Sequence, residues 1–162
     1  MTKKQVAKKV VLEFKSVDQI MDFAIQSEEN ANRFYMDWST KVEDKSLRKV
    51  FLELAGEEAK HKVYFQDLKK GKKIMIPTTQ KITDLKISDY IVDIDAKNDM
   101  NYQDALTLAM QQEKEAFKLY SGLSLMVEDE EMKKIFLTLA EEEAKHKLRL
   151  EIMYDDEILV DN

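Results

Sequence analysis

The four-residue stretch Glu-Ala-Lys-His occurs twice in this chain, at residues 58–61 and 143–146. These copies contain the only two histidines, and each histidine follows a glutamate by three residues. At the same offset of 85 residues, 20 of the 54 positions in residues 16–69 are identical to those in residues 101–154. Self-similarity at one fixed period indicates that the chain is built from two copies of a single structural unit.

Each copy contains two stretches in which apolar residues recur every three or four positions, which is the period of one helix face. Among 162 residues there are only three glycines and one proline, so little interrupts these stretches. We therefore predict an all-α fold, a four-helix bundle of two repeated helical hairpins in a single domain spanning residues 1–162. The predicted core faces are Met21, Ala24, Glu28, Ala31, Tyr35, Trp38 and Val42; Leu47, Phe51, Leu54, Glu58, His61, Phe65 and Leu68; Ala105 or Leu106, Ala109, Glu113, Ala116, Tyr120, Leu123 and Val127; and Met132, Phe136, Leu139, Glu143, His146, Leu150 and Met153.

The two hairpins are joined by residues 70–100, which hold the only proline, Pro77. A connection of about 30 residues is too long for a tight turn, but it suits a crossover along the bundle that lets the third helix begin at the opposite end. Ser16 is predicted to cap the first helix, and Gly71 to end the second. Residues 1–15 are predicted to form an arm. Residues 87–95 are predicted to form either a short helix or an extended segment. An apolar patch at residues 158–160 is predicted to fold back on the bundle.

Composition and charge exclude several classes of protein. The net charge is -6, and no basic stripe with interleaved aromatic residues is present, which argues against nucleic acid as a partner. No run approaches the roughly 20 apolar residues of a transmembrane helix. The basic start of the chain is not followed by the apolar core of a signal peptide, and there is no cysteine for a disulfide or a thiolate metal site. We therefore expect a cytoplasmic protein that contacts no membrane.

Acidic residues interrupt the predicted core faces, one in each helix: Glu28, Glu58, Glu113 and Glu143. An unpaired buried carboxylate costs several kcal/mol or takes up a proton instead. The same faces carry no lysine or arginine that could neutralise the carboxylates. Two divalent cations would balance the four negative charges, with His61 and His146 as neutral nitrogen donors.

The spacing of these residues is also suited to metal binding. Residues three apart lie on one face of a helix, so Glu58 and His61 can reach the same ion. Small residues, Ala31 and Ala116, leave room for the ions one turn away from the other glutamates. The remaining polar groups of these faces are two tyrosines that either pack in the core, donate hydrogen bonds to ligand carboxylates or border an oxidant pocket: Tyr35 and Tyr120.

The pattern of six residues resembles that of the ferritin-like di-iron carboxylate proteins, in which two helices each provide a glutamate and two others each provide Glu-x-x-His. Within that superfamily the chain is most similar to the rubrerythrin group, whose Glu-x-x-Ala-x-x-x-Tyr pattern stands here at residues 28–35 and 113–120. The resemblance covers roughly residues 16–154 and implies two iron ions, with manganese or zinc as alternatives. It implies that Glu58 and Glu143 bridge the ions, that Glu28 and His61 are terminal ligands of one ion, and that Glu113 and His146 are terminal ligands of the other.

The sequence departs from typical rubrerythrins at two points. They carry a further glutamate three residues after the third-helix ligand, where this chain has Ala116. The resemblance therefore does not directly imply the redox-driven ligand exchange at that glutamate, nor the peroxidase activity associated with it. The cysteine-rich rubredoxin-like domain of full-length rubrerythrins is also missing, so electrons are expected to come from a separate protein.

The resemblance implies a di-iron oxidoreductase that reduces peroxide or dioxygen with these external electrons. One alternative is oxidation of ferrous iron with binding or storage of the product, as in ferritins. Another is a bundle whose metal ions only stabilise the fold. The long arm and connection are unlike those of a shell-forming ferritin, so storage ranks below the enzyme, and the family resemblance suggests a homodimer.

Overall fold

The computed structural model describes residues 14–71 and 101–156. These residues form four α-helices: α1 (Val17–Lys41), α2 (Lys45–Lys69), α3 (Tyr102–Ser124) and α4 (Glu130–Tyr154). Helix α1 packs against α2 and α3 packs against α4 as two hairpins, and α1 also contacts α3. The predicted all-α four-helix bundle is confirmed. Most of the predicted arm, nearly all of the connection, including residues 87–95, and the apolar patch at residues 158–160 lie outside the described residues.

Each helix begins at a polar side chain that accepts a hydrogen bond from a backbone N–H of the first turn, which otherwise has no partner within the helix. Ser16 Oγ accepts from the Gln19 N–H at 3.2 Å, as predicted. Gly71 follows α2 with a φ of 79°, a left-handed conformation that glycine adopts without strain, so the predicted stop is confirmed. The four caps are Ser16, Asp44, Asn101 and Asp129.

The predicted core faces are the faces that the bundle buries. Leu68, Ala116 and Met153 are partly buried, and every other residue of the four predicted faces is buried. The opposite faces carry charged residues in contact with solvent, as the spacing of three and four residues requires. None of the four helices combines the length and the apolar character that crossing a lipid bilayer demands.

Apolar side chains form two separate clusters, one toward each end of the bundle. Both are dominated by aromatic and large aliphatic residues, and burying each such side chain stabilises the fold by about 1.5–3 kcal/mol. The first apolar cluster includes Tyr35, Trp38, Leu47, Phe51, Leu54, Leu106, Met110 and Leu150. The second apolar cluster includes Ile20, Met21, Phe65, Tyr120, Leu123, Phe136 and Leu139.

The clusters show how the hairpins are oriented. Phe65, near the end of α2, lies in the second apolar cluster, whereas Leu106, near the start of α3, lies in the first. Helix α3 therefore begins at the end of the bundle opposite to the end of α2, as the long connection predicted. The two hairpins are related by an approximate twofold axis, and the space between the two apolar clusters is left for the polar core residues.

Candidate metal centre

All six side chains that the sequence singles out as metal ligands are buried in the middle of the bundle. Each of the four helices contributes one glutamate, and α2 and α4 each add one histidine a turn later. The exposed fraction is 1% for each glutamate, 3% for His61 and 7% for His146. The structure thus brings together residues that lie up to 118 positions apart in the chain.

These side chains form two overlapping groups of possible metal donors. In each group, one donor atom from every residue lies within 4.8 Å of the donor atoms of the others. Glu58 and Glu143 belong to both groups, so they stand between two adjacent positions for an ion. The first group is Glu28, Glu58, His61 and Glu143, and the second is Glu58, Glu113, Glu143 and His146.

The first group is arranged around Nδ1 of His61. This atom lies 3.1 Å from Oε1 of Glu143, on the opposite hairpin. It also lies 3.4 Å from Oε1 of Glu28 and 3.7 Å from Oε2 of Glu58. Three carboxylates from three helices therefore approach a single imidazole nitrogen.

The second group repeats this arrangement around Nδ1 of His146. Oε1 of Glu58 lies 2.9 Å from this nitrogen, and Oε1 of Glu113 and Oε2 of Glu143 each lie 3.5 Å from it. The rings of His61 and His146 are nearly parallel, with centroids 6.0 Å apart and an angle of 10° between their planes. The approximate twofold axis of the bundle thus passes between the two groups.

Several oxygen and nitrogen atoms that could ligate a metal have no hydrogen-bond partner in the part of the chain that the structure describes. They are Oε2 of Glu28, Oε1 of Glu58, Oε2 of Glu113, Oε2 of Glu143 and Nδ1 of His146. Buried polar atoms are nearly always paired, so this concentration calls for an additional partner. Oε1 of Glu58 and Nδ1 of His146 are close to each other without forming a hydrogen bond. Lone pairs that converge in this way fit a cation.

Burial and mutual repulsion change the protonation of the cluster when no cation is bound. Burial, followed by the charge of Glu58, raises the pKa of Glu28 from 4.5 to about 8. Burial, followed by the charge of Glu113, raises the pKa of Glu143 to about 7. Burial lowers the pKa of His61, but the carboxylates of Glu143 and Glu28 outweigh this effect and raise it well above 6.5. Protons therefore take the place of cations in the metal-free cluster.

The two tyrosines of the repeat connect the hairpins crosswise. The hydroxyl of Tyr35 on α1 donates a hydrogen bond to Glu113 on α3, and the hydroxyl of Tyr120 on α3 donates one to Glu28 on α1. Burial and the neighbouring carboxylates raise the pKa of both tyrosines well above 10.0, so the hydroxyls stay protonated and remain donors. Of the roles that the sequence left open, the structure shows both packing in the core and hydrogen bonding to the glutamates.

Comparison with known proteins agrees with this geometry. A family model described as rubrerythrin matches residues 19–101 and 104–160. The chain belongs to the rubrerythrin family. A solved structure of a hypothetical protein from Pyrococcus furiosus is similar, with 26% sequence identity and a TM-score of 0.61 over 87% of this chain and 89% of that chain. No curated protein matches the chain.

A rubrerythrin-family bundle with this buried cluster is suited to a metal site. Carboxylate and imidazole donors accept iron, manganese or zinc, so the donor set alone does not select the metal. At the position of the further glutamate of typical rubrerythrins, Ala116 is partly buried and offers no ligand atom. The set that this family member presents is therefore symmetric, with one glutamate and one histidine belonging to each group alone.

Two further charged residues of α4 are buried, and the sequence did not predict this. Lys147 and Glu151 have exposed fractions of 5% and 1%, and Nζ of Lys147 lies 3.4 Å from Oε1 of Glu151. Spacings of four and eight residues from Glu143 place both on its side of α4, and this was the available signal. Because a lysine side chain normally extends its amine into solvent, this spacing alone did not predict burial.

Proposed function

We propose that this rubrerythrin-family protein is a di-iron oxidoreductase that reduces peroxide or dioxygen with electrons from a separate donor protein. The observation that carries the proposal is the pair of overlapping donor groups that share Glu58 and Glu143. Two adjacent sites that share carboxylates suit two ions acting on one small oxidant. A single structural ion would need only one of the groups.

Each side chain has a defined task in this proposal. Glu58 and Glu143 would hold both ions, because each lies in both groups. When bound, two iron ions supply electron transfer and polarise an oxygen-containing substrate. Glu28 and His61 would hold only one ion, and Glu113 and His146 only the other.

The surrounding residues hold these ligands in place. Tyr35 and Tyr120 each fix one terminal glutamate through a hydrogen bond from the opposite hairpin. Such hydrogen bonds to ligand carboxylates orient them and adjust their basicity. The two apolar clusters on either side exclude water from most of the centre, which strengthens electrostatic interactions within it.

Proton release is expected when metal binds. The raised pKa values of Glu28 and Glu143 mean that the metal-free cluster retains protons near neutral pH. Metal ligands must be deprotonated, so cations and protons compete for the same atoms. The proposal therefore includes a metal affinity that rises with pH.

Peroxide consumption by the iron-loaded protein tests the proposal. We expect turnover in the presence of a chemical reductant, and near-complete loss of turnover in Glu58→Ala. Glu115→Ala is the matched control, because Glu115 follows the candidate ligand Glu113 by two residues but its side chain is 73% exposed. Wild-type protein that binds two ions but consumes neither peroxide nor dioxygen would leave only a structural role for the metal. Accumulation of iron far beyond the centre would instead indicate storage.

A further inference from the structure

An open cavity of about 190 Å³ lies between α2 and α4, beside the metal centre. Its walls are mostly apolar, and charged residues of both helices stand at its rim. The main apolar wall residues are Phe65, Leu68, Ile135 and Leu139. We call this cavity the α2–α4 pocket.

The α2–α4 pocket reaches the centre through His61, which forms part of its wall. The same imidazole ring places Nδ1 3.1 Å from Oε1 of Glu143. A molecule in the pocket is therefore separated from the buried carboxylates by one side chain. This distinguishes the pocket from an ordinary surface groove.

The repeat supplies an internal comparison for this pocket. Tyr64 and Thr138 line it, and the residues that repeat them on the other side of the bundle are Arg149 and Glu53. Arg149 and Glu53 form an ion pair that joins α4 to α2 across the bundle. With side chains 45% and 42% exposed, the pair lies at the surface, and by the repeat it occupies the position on the His146 side that corresponds to the pocket on the His61 side. A tyrosine and a threonine cannot form such a bridge, so the approach to His61 is not closed in this way.

The size and lining of the pocket indicate what it holds. A cavity of about 150 Å³ lined by apolar side chains accommodates a molecule as large as benzene. Hydrogen peroxide and dioxygen are much smaller, and hydrogen peroxide gains little from apolar walls. A hydroperoxide with a short alkyl substituent matches both the volume and the apolar lining of the pocket, because its substituent can contact the walls while the peroxide group points to His61.

We propose that the α2–α4 pocket is the site through which the oxidant reaches the centre, on the His61 side, and that it binds hydroperoxides with a small apolar substituent. This inference rests on the proposed function. Reduction of such a compound, ROOH, breaks the O–O bond and yields ROH and water. It consumes two protons and two electrons, and the electrons come from the external donor already included in the proposed function.

The pocket can be closed by placing the residues of the His146 side at the corresponding positions of the His61 side. The variant Tyr64→Arg/Thr138→Glu places the ion pair of the His146 side over the His61 side. The matched control, Arg149→Tyr/Glu53→Thr, removes that pair and leaves the pocket unchanged. Ile135→Phe narrows the pocket by another route, in case the exchanged pair disturbs folding. Metal content confirms that each variant keeps its centre.

Binding is measured without turnover, on zinc-loaded protein, with tert-butanol as the probe. We expect methyl NMR shifts at Leu68, Ile135 and Leu139 in the wild type and in the control, and their loss in the closed variant. In the wild type, the absence of these shifts, or shifts at Leu54 and Leu150 on the His146 side in their place, would overturn the inference.

Turnover of tert-butyl hydroperoxide by iron-loaded protein provides the second readout. Pocket contacts of this size change substrate discrimination by about tenfold or more, so kcat/KM should fall by at least that factor in the closed variant, and by less for hydrogen peroxide. An unchanged kcat/KM in a closed variant with full metal content contradicts the pocket inference alone. Wild-type protein that binds tert-butanol but reduces no peroxide contradicts the proposed function and leaves the binding site intact.

Discussion

The four core glutamates are chemically identical, but their positions give them different importance. Glu58 and Glu143 lie in both donor groups, whereas Glu28 and Glu113 each lie in one. Glu28 and Glu113 also accept a hydrogen bond from a tyrosine of the opposite hairpin, which fixes their position. Loss of a bridging glutamate should therefore affect both ions, and loss of a terminal glutamate mainly one.

Metal stoichiometry in single variants tests this difference. Wild-type protein should bind about two ions per chain, Glu113→Ala about one, and Glu58→Ala fewer than one, because Glu58 serves both positions. The measurement is the metal content of metal-free protein after equilibration with zinc and gel filtration. Glu115→Ala should retain the wild-type value. Equal losses in Glu58→Ala and Glu113→Ala would contradict the bridging assignment.

The six candidate ligands were identifiable from the sequence because the repeat marks them twice. A glutamate or a histidine in a core stripe is unusual once, and its recurrence at the same offset is hard to explain by chance. Which carboxylate lies nearest to each histidine was not identifiable from spacing. Nδ1 of His61 approaches Glu143 on the other hairpin more closely than Glu58 on its own helix. Sequence separation along one helix carries no information about that contact.

Helices α1 and α3 share few direct contacts, and the crosswise hydrogen bonds of Tyr35 and Tyr120 are notable among them. Each bond joins a hydroxyl of one hairpin to a buried carboxylate of the other. The helical period predicted that both tyrosines face the core, and this is confirmed. It did not predict their partners, because the period determines the face of a helix and not the residue that lies opposite.

Removal of one hydroxyl should destabilise the association of the hairpins. In Tyr35→Phe, Glu113 loses its donor while remaining buried, and leaving a buried acceptor unpaired costs about 1–3 kcal/mol of the free energy of unfolding. Tyr120→Phe should have a similar effect through Glu28. Urea denaturation of the metal-free protein gives the free energy. Tyr64→Phe is the control, since Tyr64 lines the open pocket; if Tyr35→Phe is no more destabilising than this control, the crosswise bonds contribute nothing.

The whole bundle is nearly symmetric in its centre and asymmetric at its surface. The two apolar clusters and the two donor groups follow the repeat, whereas Tyr64 and Thr138 differ from Arg149 and Glu53. Identical residues at the 85-residue offset mark the centre, and these positions are not identical. Differences between two copies of a repeat were the signal for the pocket, but an ion pair across helices is visible only once the packing is known.

The stability of the metal-free molecule should depend on pH through the core carboxyls. Burial, with the charge of a neighbouring glutamate, raises the pKa of Glu28 to about 8 and that of Glu143 to about 7, from 4.5. A raised pKa in the folded state gives stability that is complete below the unfolded pKa and is lost as the pH rises through the folded value. The histidines, whose pKa values are also raised, act in the same direction.

We therefore expect the Tm of the metal-free protein to fall as the pH rises from about 5 to about 8, and this fall to be smaller in Glu28→Gln. Differential scanning calorimetry in the presence of a chelator measures it. Glu29→Gln is the control, because Lys62 holds the pKa of the partly buried Glu29 below 4.5 and its contribution changes only at lower pH. A Tm that rises over this interval would contradict the proposed protonation of the cluster. Saturating zinc should abolish the fall, since the cations displace the protons.

The central claim is that one buried cluster holds two ions between the hairpins, and anomalous diffraction from metal-loaded crystals tests it most directly. The expected result is two anomalous peaks inside the bundle, about 3.5–4 Å apart, as in other two-metal sites. One peak should lie beside Glu28 and His61, the other beside Glu113 and His146, with Glu58 and Glu143 between them. A single peak, or peaks away from these six side chains, would contradict the account.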